Sequence, residues 1–164
     1  MSPVAKIENV LPKWFALVND RPVPMPRAVV SAKLLRTQAA IQAGEALFQD
    51  FNSPNDPVIH DDASIALEHG NVFYTSASAE CPARPPCDAP AKLAILIDDR
   101  WEITLLREQT GAALRELFAL PREAALFRDL ESPNDVSVSD HDVVAFSGGP
   151  VFVTRRVATQ LSII

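Results

Sequence analysis

The sequence predicts an α+β protein made of two tandem copies of one small domain, each a mixed sheet wrapped around a single helix. Three observations predict it. The chain repeats itself at one fixed offset, a proline-rich stretch separates the copies, and each copy reads strand, strand, helix, strand, short strand, strand.

The repeat is anchored by Ser-Pro-Asn-Asp at residues 53–56 and again at 132–135. Sliding the chain by 79 residues aligns 14–77 with 93–156 without a gap, pairing Leu17 with Leu96, Asp20 with Asp99, Arg21 with Arg100, Phe48 with Phe127, Asp50 with Asp129, Asp61 with Asp140, Gly70 with Gly149 and Phe73 with Phe152. A common turn motif accounts for the four identities within SPND and leaves all of these unexplained, so an internal duplication is the reading. Between the copies, ASAECPARPPCDAPAK has prolines at 82, 85, 86 and 90. Such a stretch cannot be helical and should run as an extended spacer. The expected organisation is an N-terminal arm 1–13, domain 14–77, linker 78–92, domain 93–156 and tail 157–164. Each domain, at about 65 residues, lies near the lower size at which one core suffices, so packing of the two copies against each other, or against other chains, would help both.

In the second copy LAILIDDRWEITL is a hairpin: an apolar run, a tight turn at Asp98 to Arg100, then the alternation Trp101, Ile103, Leu105. Thr110 is a suitable N-cap for GAALRELFAL, whose Ala113, Leu114, Leu117 and Phe118 share one helical face, with Pro121 marking the end. EAALFRDL gives a third strand, VSVSDHDVVAF a short one after the turn, and VFVTRR the last, entered through Gly148, Gly149 and Pro150. The first copy repeats this with Ser31 as N-cap and a helix over about 32–43 closed by Gly44. Where the second copy has WEITLL, the first has PVPMPR. Pro22, Pro24 and Pro26 lack an N–H for a ladder, so that strand is expected at a sheet edge, where they would block pairing with another chain.

This order resembles a ubiquitin-like β-grasp domain. TGAALRELF, LFRDLESPND, VSVSDHDVVAF and VFVT together are similar to the domains of prokaryotic multiubiquitin proteins; the likeness covers 93–156 best and 14–77 less, where Ser31-Ala32 replaces Thr-Gly. The resemblance implies a protein modifier of a bacterial ubiquitination-like pathway, or its precursor. Its partners would be activating and conjugating enzymes and a processing peptidase, and it would be no enzyme itself. The recognition elements would be the second domain and the tail from Arg155 and Arg156 to Ile164. Tandem members of such a group also self-assemble, in some cases with calcium, so a non-conjugated oligomeric scaffold is the alternative. One departure bears on the choice: a conjugated modifier is expected to present a terminal Gly, and RRVATQLSII has none. Gly148-Gly149 precedes a strand and reads as a turn.

Composition excludes other classes. With 48% hydrophobic and 22% charged residues the chain is of globular type. A net charge of −6 with no basic cluster argues against nucleic acid or anionic membrane as partner. No signal-like or membrane-spanning apolar run is present, and a soluble cytoplasmic protein is expected.

Cys81 and Cys87 both fall in the linker; free thiols are the expectation in a reducing compartment, with a short-loop disulfide the other option. His60, His69 and His141 show no zinc-ligand spacing, and Ser139-Asp140-His141-Asp142 are chain neighbours rather than converging triad partners. The acidic loops, Asp56, Asp61 and Asp62 in the first copy and Asp135, Asp140 and Asp142 in the second, offer the hard oxygens that calcium takes, though without EF-hand spacing. Solvated turn and cap aspartates are the plainer reading. No cofactor is otherwise expected.

Overall fold

The computed structural model describes residues 11–51, 56–77, 90–131 and 135–156. The first half runs β1 (Trp14–Val18), β2 (Arg21–Met25), β3 (Val29–Ser31), α1 (Ala32–Gln38), β4 (Ala46–Gln49), β5 (Val58–Ile59), β6 (Ser64–Ala66) and β7 (Val72–Ser76). The second runs β8 (Leu93–Ile97), β9 (Arg100–Thr104), β10 (Glu108–Thr110), α2 (Gly111–Leu117), β11 (Ala124–Arg128), β12 (Val136–Val138), β13 (Val143–Ala145) and β14 (Val151–Arg156). The architecture is α+β with mixed sheets. Each half has a five-stranded sheet, ordered β2-β1-β7-β4-β5 and β9-β8-β14-β11-β12, and a two-stranded ribbon, β3-β6 and β10-β13. In each main sheet the first and last strands lie side by side and parallel at the centre, while their outer neighbours pair antiparallel.

β1 and β8 are continuous apolar runs because they are covered on both faces. Trp14, Ala16 and Val18 of β1 join Leu35, Leu47 and Phe73 in a core beneath α1. Leu93, Ile95 and Ile97 of β8 do the same with Leu114, Phe118 and Phe152 beneath α2. The alternate residues point the other way, into a third cluster where Phe15, Leu17 and Val72 meet Ala94 and Val151, flanked by Leu96, Trp101 and Ile103. The two sheets therefore share a seam between their outer faces.

β2 is an edge strand, as its prolines require. Its register sets Pro22 opposite Leu17 and Pro24 opposite Phe15. With a period of two, the residues lacking N–H fall on the side that faces away from β1, and the ladder with β1 is kept whole.

Two expectations need correction. The first helix ends at Gln38, not near residue 43, and Gly44 does not close it. Ala40 takes a left-handed φ of 54°, its N–H meets the Thr37 carbonyl at 3.2 Å and the Ile41 N–H meets that of Arg36 at 2.9 Å. This is a Schellman ending, which turns Ile41 back onto the core. Ala119 (φ 50°) and Leu120 end α2 at Leu117 in the same way, ahead of Pro121. In addition, the single short strand expected in VSVSDHDVVAF is two: β12 stays in the main sheet, while β13 leaves it to pair with β10. The break is the Ser139–Asp142 turn, closed by Asp142 N–H to the Ser139 carbonyl at 3.1 Å. Just ahead of the aligned copies, Leu11 and Pro12 meet Glu131 and Leu130 of the second half, and Ala91 and Lys92 meet Phe51 and Asp50 of the first. No helix among the described residues is long and apolar enough to cross a membrane.

Candidate functional site

The repeated SPND motif ends in an aspartate whose work is structural in both halves. Asp56 accepts the Phe51 N–H at 2.8 Å and the Tyr74 hydroxyl at 2.7 Å. Asp135 accepts the Leu130 N–H at 3.2 Å and an Arg155 guanidinium N–H at 2.6 Å. One carboxylate oxygen thus holds the backbone five residues earlier, and the other ties the aspartate to the last strand. The tying side chain also covers an aromatic ring on the neighbouring strand. Tyr74 stacks on Phe48 at 5.2 Å, and Arg155 lies 4.8 Å over Phe127.

The remaining acidic residues are spread out. Asp61 pairs with Arg36 Nε at 3.0 Å and Asp140 with Arg115 Nε at 3.1 Å. The same arginines donate to the carbonyls of Glu45 and Ala124, so each joins its helix to the next strand. Asp62 is exposed in a turn. Asp142 accepts the Ser139 N–H at 2.8 Å. That bond, with the Ser139 side chain and then His141, holds its carboxyl below the usual carboxylate range. Among the described residues no three His, Cys, Asp or Glu side chains gather where they could hold a metal ion. Arg156 is exposed at the end of β14 opposite Ala124. Cys81, Cys87 and Ile164 lie outside the described residues.

Gly148-Gly149 forms the turn into β14. Gly149 has φ 109°, and a Cβ there would stand 2.6 Å from the Pro12 Cβ. Thr110-Gly111 has a similar cause: a Cβ on Gly111 would lie 2.1 Å from the Ser139 carbonyl oxygen.

The most organised assembly of polar groups is at the seam, and its contacts come in pairs offset by 79 residues. Lys13 meets Asp129 at 3.0 Å, and Lys92 meets Asp50 at 3.1 Å. Pro12 bridges to Leu130, and Ala91 bridges to Phe51. Pro12 packs over Gly149 and Ala91 over Gly70. Each half therefore gives the other the residues just before its first strand and receives the same in return, which is the reciprocity of a two-fold axis.

The halves differ at the centre of the seam and on one flank. Asn71, fully buried, donates to the carbonyls of Phe15 at 3.2 Å and Ala94 at 3.1 Å and accepts the Ala94 N–H at 2.7 Å. Its counterpart at the same offset is Pro150, and the counterpart of Phe15 is Ala94 itself. On the flank, Arg107 reaches across to the His69 carbonyl at 3.3 Å and also binds that of Ala91 at 2.9 Å. Sequence reasoning passed over Asn71 and the seam lysines. A signal existed for the latter: Lys13 and Lys92 agree at the repeat offset one residue before the aligned span begins.

Comparison with protein-family models, with curated proteins and with solved structures found no match.

Proposed function

We propose that this chain is a tandem ubiquitin-like protein, two β-grasp units in series, serving as a modifier or modifier precursor in a bacterial ubiquitination-like pathway. The observation that supports it is the strand arrangement found twice: first and last strands parallel at the sheet centre, the hairpin partner on one flank, two strands on the other and the helix across one face. On this reading the chain is a substrate and partner of activating and conjugating enzymes, which engage the second unit and the tail from Arg155 onward. Incubation with ATP and purified enzymes of such a pathway should give covalent adducts, visible as a shift in intact mass, and removing residues 157–164 should abolish them. Adducts that persist without the tail overturn its role; no adduct with any target or enzyme overturns the modifier reading.

A second reading, a non-conjugated scaffold, draws support from the seam. A modifier is read by other proteins through exposed surface, whereas here the centre of one sheet face of each half is spent on the other, with Phe15 and Leu17 buried. On that reading the tail deletion leaves the protein's behaviour towards the enzymes unchanged.

A further inference from the structure

The seam has the construction of an interface between separate molecules. Among the described residues no strand of one half enters the main sheet of the other, and the backbone crossings there are two isolated bridges. Parting the halves therefore leaves both sheets and both helix-side cores intact. We propose that the seam is an exchangeable interface whose second occupant is the complementary half of another copy of this chain. Two chains would pair reciprocally, the first half of each on the second half of the other.

The chemistry at the centre selects the unlike half. Ala94 N–H is buried, and the Asn71 side chain of the first half satisfies it. In a pairing of two second halves, Pro150 would stand where Asn71 stands and could offer no side-chain acceptor, leaving a buried donor unmade at a cost of about 1–3 kcal/mol on each side. Two first halves would set Phe15 against Phe15 where Phe15 now meets the small Ala94, an overpacked centre. Only a first half with a second half meets both requirements. Within one chain the connection holds the halves at an effective concentration on the order of millimolar, so the closed form dominates in dilute solution and exchange emerges towards that concentration. The inference is independent of the modifier reading, since a chain that is never conjugated would exchange equally.

The two ion pairs supply the test. A water-soluble carbodiimide joins a lysine Nζ to a carboxylate in contact with it, with loss of one water. Equal amounts of unlabelled and ¹⁵N-labelled full-length protein are mixed, held at about 1 mM, diluted, reacted at once and separated by size. In the dimer fraction, the Lys13–Asp129 and Lys92–Asp50 linked peptides should be mixed-isotope in about half of the molecules; in the monomer fraction both should be isotopically pure. Dimers whose two links are all isotopically pure would show association through another surface and overturn the proposal. Failure to find any dimer at this concentration would overturn it as well.

Discussion

Asn71 and Ala94 exchange two hydrogen bonds across the seam: the Ala94 N–H donates to Asn71 Oδ1 at 2.7 Å, and Asn71 Nδ2 donates back to the Ala94 carbonyl at 3.1 Å. A side-chain amide here imitates a strand partner, because β14 begins at Val151 and its ladder with β8 starts only at Leu96. Replacing it removes both bonds and leaves the buried Ala94 N–H without its acceptor. Asn71→Ala should destabilise the protein by about 2–4 kcal/mol in urea unfolding. Asn71→Asp keeps the acceptor but sets a carboxylate against two carbonyl oxygens, and its deficit should grow as pH rises through the raised pKa of the buried acid. A cost below about 0.5 kcal/mol for Asn71→Ala would remove the residue from the seam's energetics.

Ala40 and Ala119 hold left-handed conformations at matching helix ends. An L-residue with a Cβ loses about 1–2 kcal/mol there relative to glycine, part of which glycine returns through its freer unfolded chain. Ala40→Gly and Ala119→Gly should each raise stability by about 0.5–1 kcal/mol, adding nearly independently because they sit in different cores. Thermal unfolding of the two single variants and the double checks this, and a loss of stability at either site would contradict the capping geometry.

Gly149→Ala tests whether the diglycine is a turn. The positive φ and the approach of Pro12 together should cost about 2–4 kcal/mol. Adding Pro12→Gly removes the opposing Cβ but not the backbone strain, so the double variant should recover part of the loss. A neutral Gly149→Ala would favour a role for the diglycine other than structure.

Asp142 should make acid stability sensitive to Ser139. Its folded-state pKa is depressed, so its contribution is present above the unfolded carboxylate range, near pH 4, and is lost as pH falls through the folded value. Asp142→Asn keeps an acceptor for the Ser139 N–H but not the charge. The stability gap between wild type and variant should therefore shrink between about pH 5 and pH 2, measured by urea midpoints at each pH. A gap that stays constant would mean that charge contributes nothing there.

Much of each half was legible in local pattern. Asp98-Asp99 between two apolar runs marked the β8–β9 hairpin, Ser31 and Thr110 marked the helix starts that their hydroxyls cap, and the alternating prolines placed β2 at an edge. Helix ends were not legible, because Ala40 and Ala119 adopt a conformation that alanine does not advertise and that the burial of Ile41 and Leu120 enforces. Nor did the pattern separate β12 from β13, since whether Val143–Ala145 stays in the main sheet depends on β10 being there to receive it.

By itself the sequence determined the 79-residue repeat and, in each copy, the first hairpin, the helix start, the strand after the helix and the last strand, because turns, caps and apolar periodicity are properties of neighbouring residues. Only the tertiary structure decided where the repeated aspartates and lysines go. Asp56 and Asp135 look like ligand candidates in a linear reading, yet their partners lie across the sheet on β7 and β14. Lys13 and Lys92 look like solvated charges at copy boundaries, yet each is paired on the opposite half. The clearest case is Asn71, an unremarked residue before a strand, which is buried because two sheet faces close around it and bonded because the facing strand has a backbone donor left over.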